Sequence, residues 1–143
     1  MTAAPHHAVA VAGVVVDDDG RVLVIQRRDN GRWEAPGGVL ELDETFEVGV
    51  RREVAEETGV DVAVEHLTGV YKNVVRKVVV LVFRCRPLSG QPHETDEAAA
   101  ARWVDPAEIE SLMRPAHAVR ITDALDGGAA ASRAHDGVRL IDP

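Results

Sequence analysis

Apolar and polar positions change period along this chain, and the changes mark its elements. Ala8 to Val16 is an apolar run, and Val22-Leu23-Val24-Ile25 lies within a second run from Arg21 to Arg28. Asp17-Asp18-Asp19-Gly20 separates them. Asp-Gly between two β-branched runs signals a hairpin, so residues 8–28 are expected as a β-hairpin with the aspartates in its solvated turn. Asn30-Gly31 and Pro36-Gly37-Gly38 make 29–43 a loop. From Glu44 to Thr58 charged and apolar residues alternate at helical spacing, and Gly59 suits the left-handed position that closes a helix. Val60 to Val70 reads as an interrupted strand. Asn73 to Arg86 is the clearest strand; Val78 to Phe83 is apolar on both faces and is expected at the centre of a sheet. Pro87 to Ala98 is expected as loop and Ala99 to Val104 as a short strand. Asp105-Pro106 starts a helix, and a second short helix runs from Pro115 to Leu125. Gly127-Gly128-Ala129 opens a tail, 127–143, that is either flexible or packed. This order of elements predicts an α+β architecture, a mixed α/β sandwich and not a doubly wound parallel sheet.

Composition narrows the class. A chain of 143 residues fits one domain, with a core over about 8–125. Apolar residues at 45% and charged residues at 28% exclude a disordered chain. Sixteen basic against 24 acidic residues give a net charge of −8. Such acidity argues against nucleic acid and against an anionic membrane as partners. A phosphate-rich ligand would then need divalent cations or a local basic patch. The single cysteine, Cys85, excludes an intramolecular disulfide and a cysteine-rich zinc site, and its apolar neighbours place it in the core. No apolar stretch reaches transmembrane length, and the first residues lack the basic region of a signal peptide, so a cytoplasmic location is expected.

The segment with chemistry runs from Gly37 to Val60. Glu53, Glu56 and Glu57 fall at i, i+3 and i+4 and share one helix face, where they repel one another. Arg52 reaches Glu56 at i+4, but one arginine cannot satisfy three acids. Phe46, Val50 and Val54 form an apolar stripe beside them that would anchor the helix, and Gly49 leaves room for a close approach. Oxygen-only donors of this kind suit Mg²⁺ or Mn²⁺ and do not suit zinc. Glu41, Glu44 and the carbonyls of Gly37 and Gly38 supply further donors. Read alone, such an acidic face is a solvated surface; the spacing of the whole segment decides otherwise.

That spacing, Gly38, Glu44, Arg52-Glu53-Val54, Glu56-Glu57 and Gly59-Val60, matches the Nudix box, G-x5-E-x7-R-E-U-x-E-E-x-G-U, at every fixed position. The approach Trp33-Glu34-Ala35-Pro36-Gly37-Gly38 is similar to the family's lead-in, and Arg102-Trp103-Val104 with Asp105-Pro106 to its late strand and helix. The chain therefore resembles a Nudix hydrolase over residues 8–125. One departure is Asp43, where many members have glycine before the first box glutamate.

The resemblance implies an α/β/α sandwich with a mixed sheet and a loop-helix-loop catalytic motif. It implies hydrolysis of a nucleoside diphosphate linked to another group, with Mg²⁺ or Mn²⁺ as cofactor. Glu56 and Glu57 would be the principal metal ligands, Glu53 a further ligand or the general base, and the Gly37 carbonyl would face a metal. Arg52 would hold the carboxylates with Glu44, and Glu97 is the candidate acid from a late loop. Arg27, Arg28, Arg32, Trp33, Gly38 and Tyr71 are candidate substrate contacts, against the plainer readings of solvated strand ends and packing. The expected partner is a small nucleoside diphosphate derivative, and the chain a monomer or homodimer. The competing reading is a non-catalytic, nucleotide-sensing Nudix module; such modules often lose box glutamates, and this chain keeps them all.

Overall fold

The computed structural model describes residues 3–142. Strand β1 (Ala8–Val15) and strand β2 (Val22–Arg27) flank the expected Asp-Gly turn, with Gly20 at φ 79° and its N–H donating to the Asp17 carbonyl. The two strands do not form the expected hairpin. A single bridge joins Val16 to Val22, after which they diverge into different sheets. The turn reverses the chain, but turn chemistry does not choose a partner. Both runs are apolar on both faces, so each takes an interior position in its own sheet.

Strand β1 lies between β4 (Gly37–Val39), antiparallel, and β6 (Val78–Ser89), parallel. Strand β2 lies between β3 (Trp33–Glu34) and β7 (Ala98–Val104), both antiparallel. The larger sheet continues from β6 to β5 (Asp61–Asn73), β8 (Ala131–His135) and β9 (Leu140–Ile141). Val78 to Phe83 is central, as its two apolar faces require. The start expected at Asn73 is instead a turn: Asn73 Oδ1 accepts from the Val75 and Arg76 amides at 3.1 and 3.0 Å, and Lys77 has φ 57°.

Helices cover both faces, giving the mixed α/β/α sandwich expected. Alternation along β1 divides the core in two. Val11 and Val15 face helix α1 (Phe46–Thr58), packing with Val50 and Val54; Ala12 and Val14 face helices α2 (Ile109–Leu112) and α3 (Pro115–Asp126), packing with Ile109 and Ile121. Gly13 permits the approach of α1, because a Cβ there would lie 3.0 Å from Val54 Cγ2 and 3.2 Å from Val50 Cγ1. Phe46 departs from the expected stripe and is exposed at the helix start, whereas Val50 and Val54 are fully buried. Cys85 is buried, as expected. The segment after Gly127 contributes β8, which pairs in parallel with β5 from Gly69 to Asn73. No helix among the described residues is long and apolar enough to cross a membrane.

Candidate active site

Thr45 caps α1 by accepting from the Val48 amide at 3.3 Å, and Gly59 closes it at φ 80°. These local signals set which face of the helix meets the Gly37-Gly38 strand. Arg52 organises the acids on that face. Its Nε and Nη2 donate to the two oxygens of Glu44 at 2.6 and 2.7 Å, a bidentate pair. Its Nη1 donates to Glu53 at 2.9 Å and to Glu56 at 3.3 Å. Hydrogen bonding from Arg52 holds the Glu44 carboxyl down near about 2, so Glu44 stays an anion that anchors the guanidinium. Asp43 is exposed in the turn before the helix.

Glu57 lies deeper. It is buried, and its Oε1 accepts from the Gly37 amide at 2.7 Å. Burial, opposed by that hydrogen bond and reinforced by Glu53, Glu34 and Glu97, pushes its carboxyl up to about 8. Burial also raises Glu53, against the pull of Arg52. Glycine is required beside both. A Cβ on Gly38 would lie 2.6 Å from Glu53 Oε1, and one on Gly37 would lie 2.4 Å from the Val11 carbonyl oxygen. The closest approach at Gly49 is to an apolar atom: a Cβ there would meet Leu40 Cδ1 at 2.5 Å, with Glu44 Oε1 at 3.3 Å.

Among the described residues, no three acidic, histidine or cysteine side chains converge on one point. Glu53 and Glu56 turn to Arg52 and Glu57 to Gly37. The donor set is nevertheless all oxygen, and burial and mutual repulsion disfavour the charges of Glu53 and Glu57. Both properties fit a hard divalent cation.

The late loop is hooked onto the helix end. Thr95 Oγ1 donates to the Glu57 carbonyl at 3.1 Å and accepts from the Glu97 amide at 3.2 Å. Glu97 is thereby close enough to raise both Glu53 and Glu57. Arg28 braces this loop instead of lining the cleft next to β3: Nε donates to the Asp96 carbonyl and Nη2 pairs with Glu94, both at 3.2 Å.

That cleft, about 730 Å³, contains Arg27, Arg32 and Trp33 among its lining residues. Arg27 is engaged with Asp29 at 2.7 Å and Glu34 at 3.2 Å, and the Arg102 guanidinium lies 4.6 Å from the Trp33 ring centroid. Tyr71 corrects the sequence reading. It is fully buried, not in the cleft, and its hydroxyl donates to Asp123 Oδ2 at 2.7 Å. Strand β5 turns that residue inward against α3. Tyr71→Phe should therefore cost about 1.5–3 kcal/mol, the range for a hydrogen bond to a charged group, and leave KM unchanged. Chemical denaturation and steady-state kinetics check the two halves.

Sequence reasoning missed Glu34, Arg114 and His117, which line the same cleft, as does Arg76 in the turn between β5 and β6. Glu34 follows Trp33 in the lead-in, which was the available signal; the others come together only through the fold. His117 faces Glu34 at 3.5 Å, but burial, aided by Arg120, His135, Arg114 and Arg27, lowers it from 6.5 to about 4. The unfolded chain then binds a proton that the folded chain does not. His117 alone should contribute a loss of about 3 kcal/mol as pH drops from 6.5 to 4, opposed by the raised Glu57 carboxyl, and it is read as the difference in slope between wild type and His117→Gln in urea titrations across this range.

Comparison with known proteins places this geometry. The NUDIX domain family profile matches residues 6–125. The chain belongs to the Nudix family. A MutT-like protein of Streptomyces ambofaciens is 56% identical over 140 residues, covering 98% of this chain and 91% of the relative. An ADP-ribose pyrophosphatase of Methanocaldococcus jannaschii is 37% identical over 114 residues, covering 75% and 67%. A Nudix hydrolase structure from Nitrosomonas europaea superposes with a TM-score of 0.79 at 21% identity, over 93% of this chain and 82% of that one, which shows the shared fold. This Nudix protein is an enzyme, a hydrolase of phosphoanhydride bonds.

Proposed function

We propose that this Nudix hydrolase is a divalent-metal-dependent pyrophosphohydrolase that cleaves a small nucleoside diphosphate derivative at its pyrophosphate. The observation that carries the proposal is Glu57, a buried carboxyl beside Glu53, Glu34 and Glu97, while the adjacent Arg52 is engaged by Glu44, Glu53 and Glu56. Glu53, Glu56 and Glu57, with the Gly37 carbonyl, would hold Mg²⁺ or Mn²⁺. Bound there, the ion would neutralise pyrophosphate oxygens and acidify water. The chain's own groups do the rest. Glu44 fixes Arg52, and Arg52 in turn orients Glu53 and Glu56. Glu53, whose carboxylate burial makes more basic, would accept the proton of the attacking water, with Glu97 as the second acid near it. The name of the Methanocaldococcus relative makes ADP-ribose the first substrate to test.

The test is a hydrolysis panel of ADP-ribose, (d)NTPs including oxidised dGTP, dinucleoside polyphosphates, nucleotide sugars and NADH. Each is run with Mg²⁺, with Mn²⁺ and with chelator, and the products are resolved by chromatography. Turnover abolished by chelator supports the proposal. Absence of turnover in folded protein that binds metal would overturn it and favour the nucleotide-sensing module.

A further inference from the structure

The cleft beside the glutamate cluster holds an excess of hydrogen-bond donors that the proposed chemistry does not use. Its acids are already engaged. Asp29 pairs with Arg27 at 2.7 Å, Glu34 with Arg27 at 3.2 Å, and Asp136 Oδ1 accepts from the Val138 and Arg139 amides at 2.9 and 2.8 Å. Arg32, Arg76 and Arg114 also line the cleft, and among the described residues none of the three has an ion-pair partner. In a chain of net charge −8, three unpaired guanidiniums around one concavity form a local exception.

Donors are also in surplus behind the wall formed by α3 and the turn after β8. Arg120 Nε is buried without a partner, the one such side-chain atom among the described residues. Arg120 Nη2 lies 3.2 Å from His135 Nε2, while the Gly137 amide donates to His135 Nδ1 at 3.0 Å. His135 is buried, and burial with Arg120 disfavours its charged form. A neutral imidazole has one acceptor nitrogen, so it cannot satisfy both donors. The region is short of acceptors, and the group that supplies acceptors in number is an oxyanion.

We propose that this cleft receives a phosphate on the far group of the substrate, beyond the scissile pyrophosphate, with Arg32, Arg76 and Arg114 as its specificity-determining residues. The proposal deepens the pyrophosphohydrolase reading and rests on it for the orientation of the substrate. Glu34 supplies the link between the two regions: it lines the cleft and lies in the same short segment as Gly37, whose amide donates to Glu57 Oε1 at 2.7 Å. Gly137 and Val138 place part of the cleft wall in the segment that follows the family match at 6–125. The far phosphate belongs either to a phosphorylated sugar or to a second nucleotide.

The experiment is calorimetric binding at low salt, with chelator present so that metal does not contribute. Its probes are ADP-ribose, ADP-ribose 1″-phosphate and diadenosine tetraphosphate. The wild type is compared with the Arg32→Ala/Arg76→Ala double variant, two exposed positions where loss of the side chain does not threaten folding. One or both far-phosphate ligands should bind about tenfold more tightly than ADP-ribose, as expected for partly screened charge pairs. The double variant should remove that margin, so that the three ligands bind alike. Preference for the sugar phosphate or for the dinucleotide assigns the source, and either supports the proposal. Equal affinity for all three, or a preference that survives in the double variant, overturns it. The same ligands are then assayed for hydrolysis with Mg²⁺. Preference without any hydrolysis would remove the pyrophosphohydrolase reading and leave the phosphate site standing; hydrolysis without preference would do the reverse.

Discussion

Glu57→Gln lowers kcat/KM by on the order of 10³-fold, the scale seen when one preorganised electrostatic contact is removed from a reacting phosphate or acyl group. The fold survives the change. Glutamine is isosteric, and its carbonyl oxygen can still accept from the Gly37 amide, as Glu57 Oε1 does at 2.7 Å. It also removes a charge that burial and three neighbouring acids disfavour. In chelator the variant should melt at or above the wild-type temperature. With added Mg²⁺ the wild type should gain stability by mass action and the variant should not. Thermal melts with and without metal, beside kinetics, test both halves. A variant that retained more than a tenth of wild-type activity would take Glu57 out of the reaction.

The adjacent glycines should respond in opposite ways to one added methyl group. At Gly37 the new Cβ meets backbone, 2.4 Å from the Val11 carbonyl oxygen and 2.8 Å from Ala12 Cα. Neither can move without shifting β1, which is paired on both sides in the larger sheet. Gly37→Ala should cost about 3 kcal/mol and lower Tm by roughly 10 °C. At Gly38 the new Cβ meets the end of a flexible side chain, the Glu53 carboxylate. Glu53 would rotate away and lose its contact with Arg52 Nη1. Gly38→Ala should therefore keep nearly the wild-type Tm and lose about 10²-fold in kcat, the scale of misplacing one acid–base group. Comparable Tm values for the two variants would contradict this division.

The parts of the molecule legible in the sequence are those in which chemistry and structure share a short window. Helix α1 with its left-handed cap at Gly59, the reach of Arg52 to Glu56 and the acidic face all follow from spacings of a few residues. The burial of Tyr71 is not legible in the sequence, because the period of an interrupted strand does not reveal which face turns inward at its far end. The bulges in β5, between Val64 and His66 and between Leu67 and Gly69, shift that register before Tyr71 is reached. The cleft was legible at Arg27, Arg32 and Trp33 but not as a whole, for a different reason. Arg32, Arg76 and Arg114 lie far apart in the chain and become neighbours only when β3, the β5–β6 turn and the start of α3 are assembled. Arg28 had the right composition for a phosphate contact, but its guanidinium is committed to the 94–97 loop.

The divergence of β1 and β2 also bears on how quickly this chain can find its structure. Strands that follow one another in sequence would close a hairpin within microseconds, yet here the first long run waits for a partner much later in the chain. The parallel ladder pairs Ala8 with Val78 and Val15 with Cys85. Its loop-closure entropy must be met before the contacts of either core return anything. The most extensive local pairing is the β5–β6 hairpin across the Asn73–Lys77 turn, and β1 is expected to join it late. Folding in the millisecond-to-second range follows, with β1 and its open edges exposed in the interval.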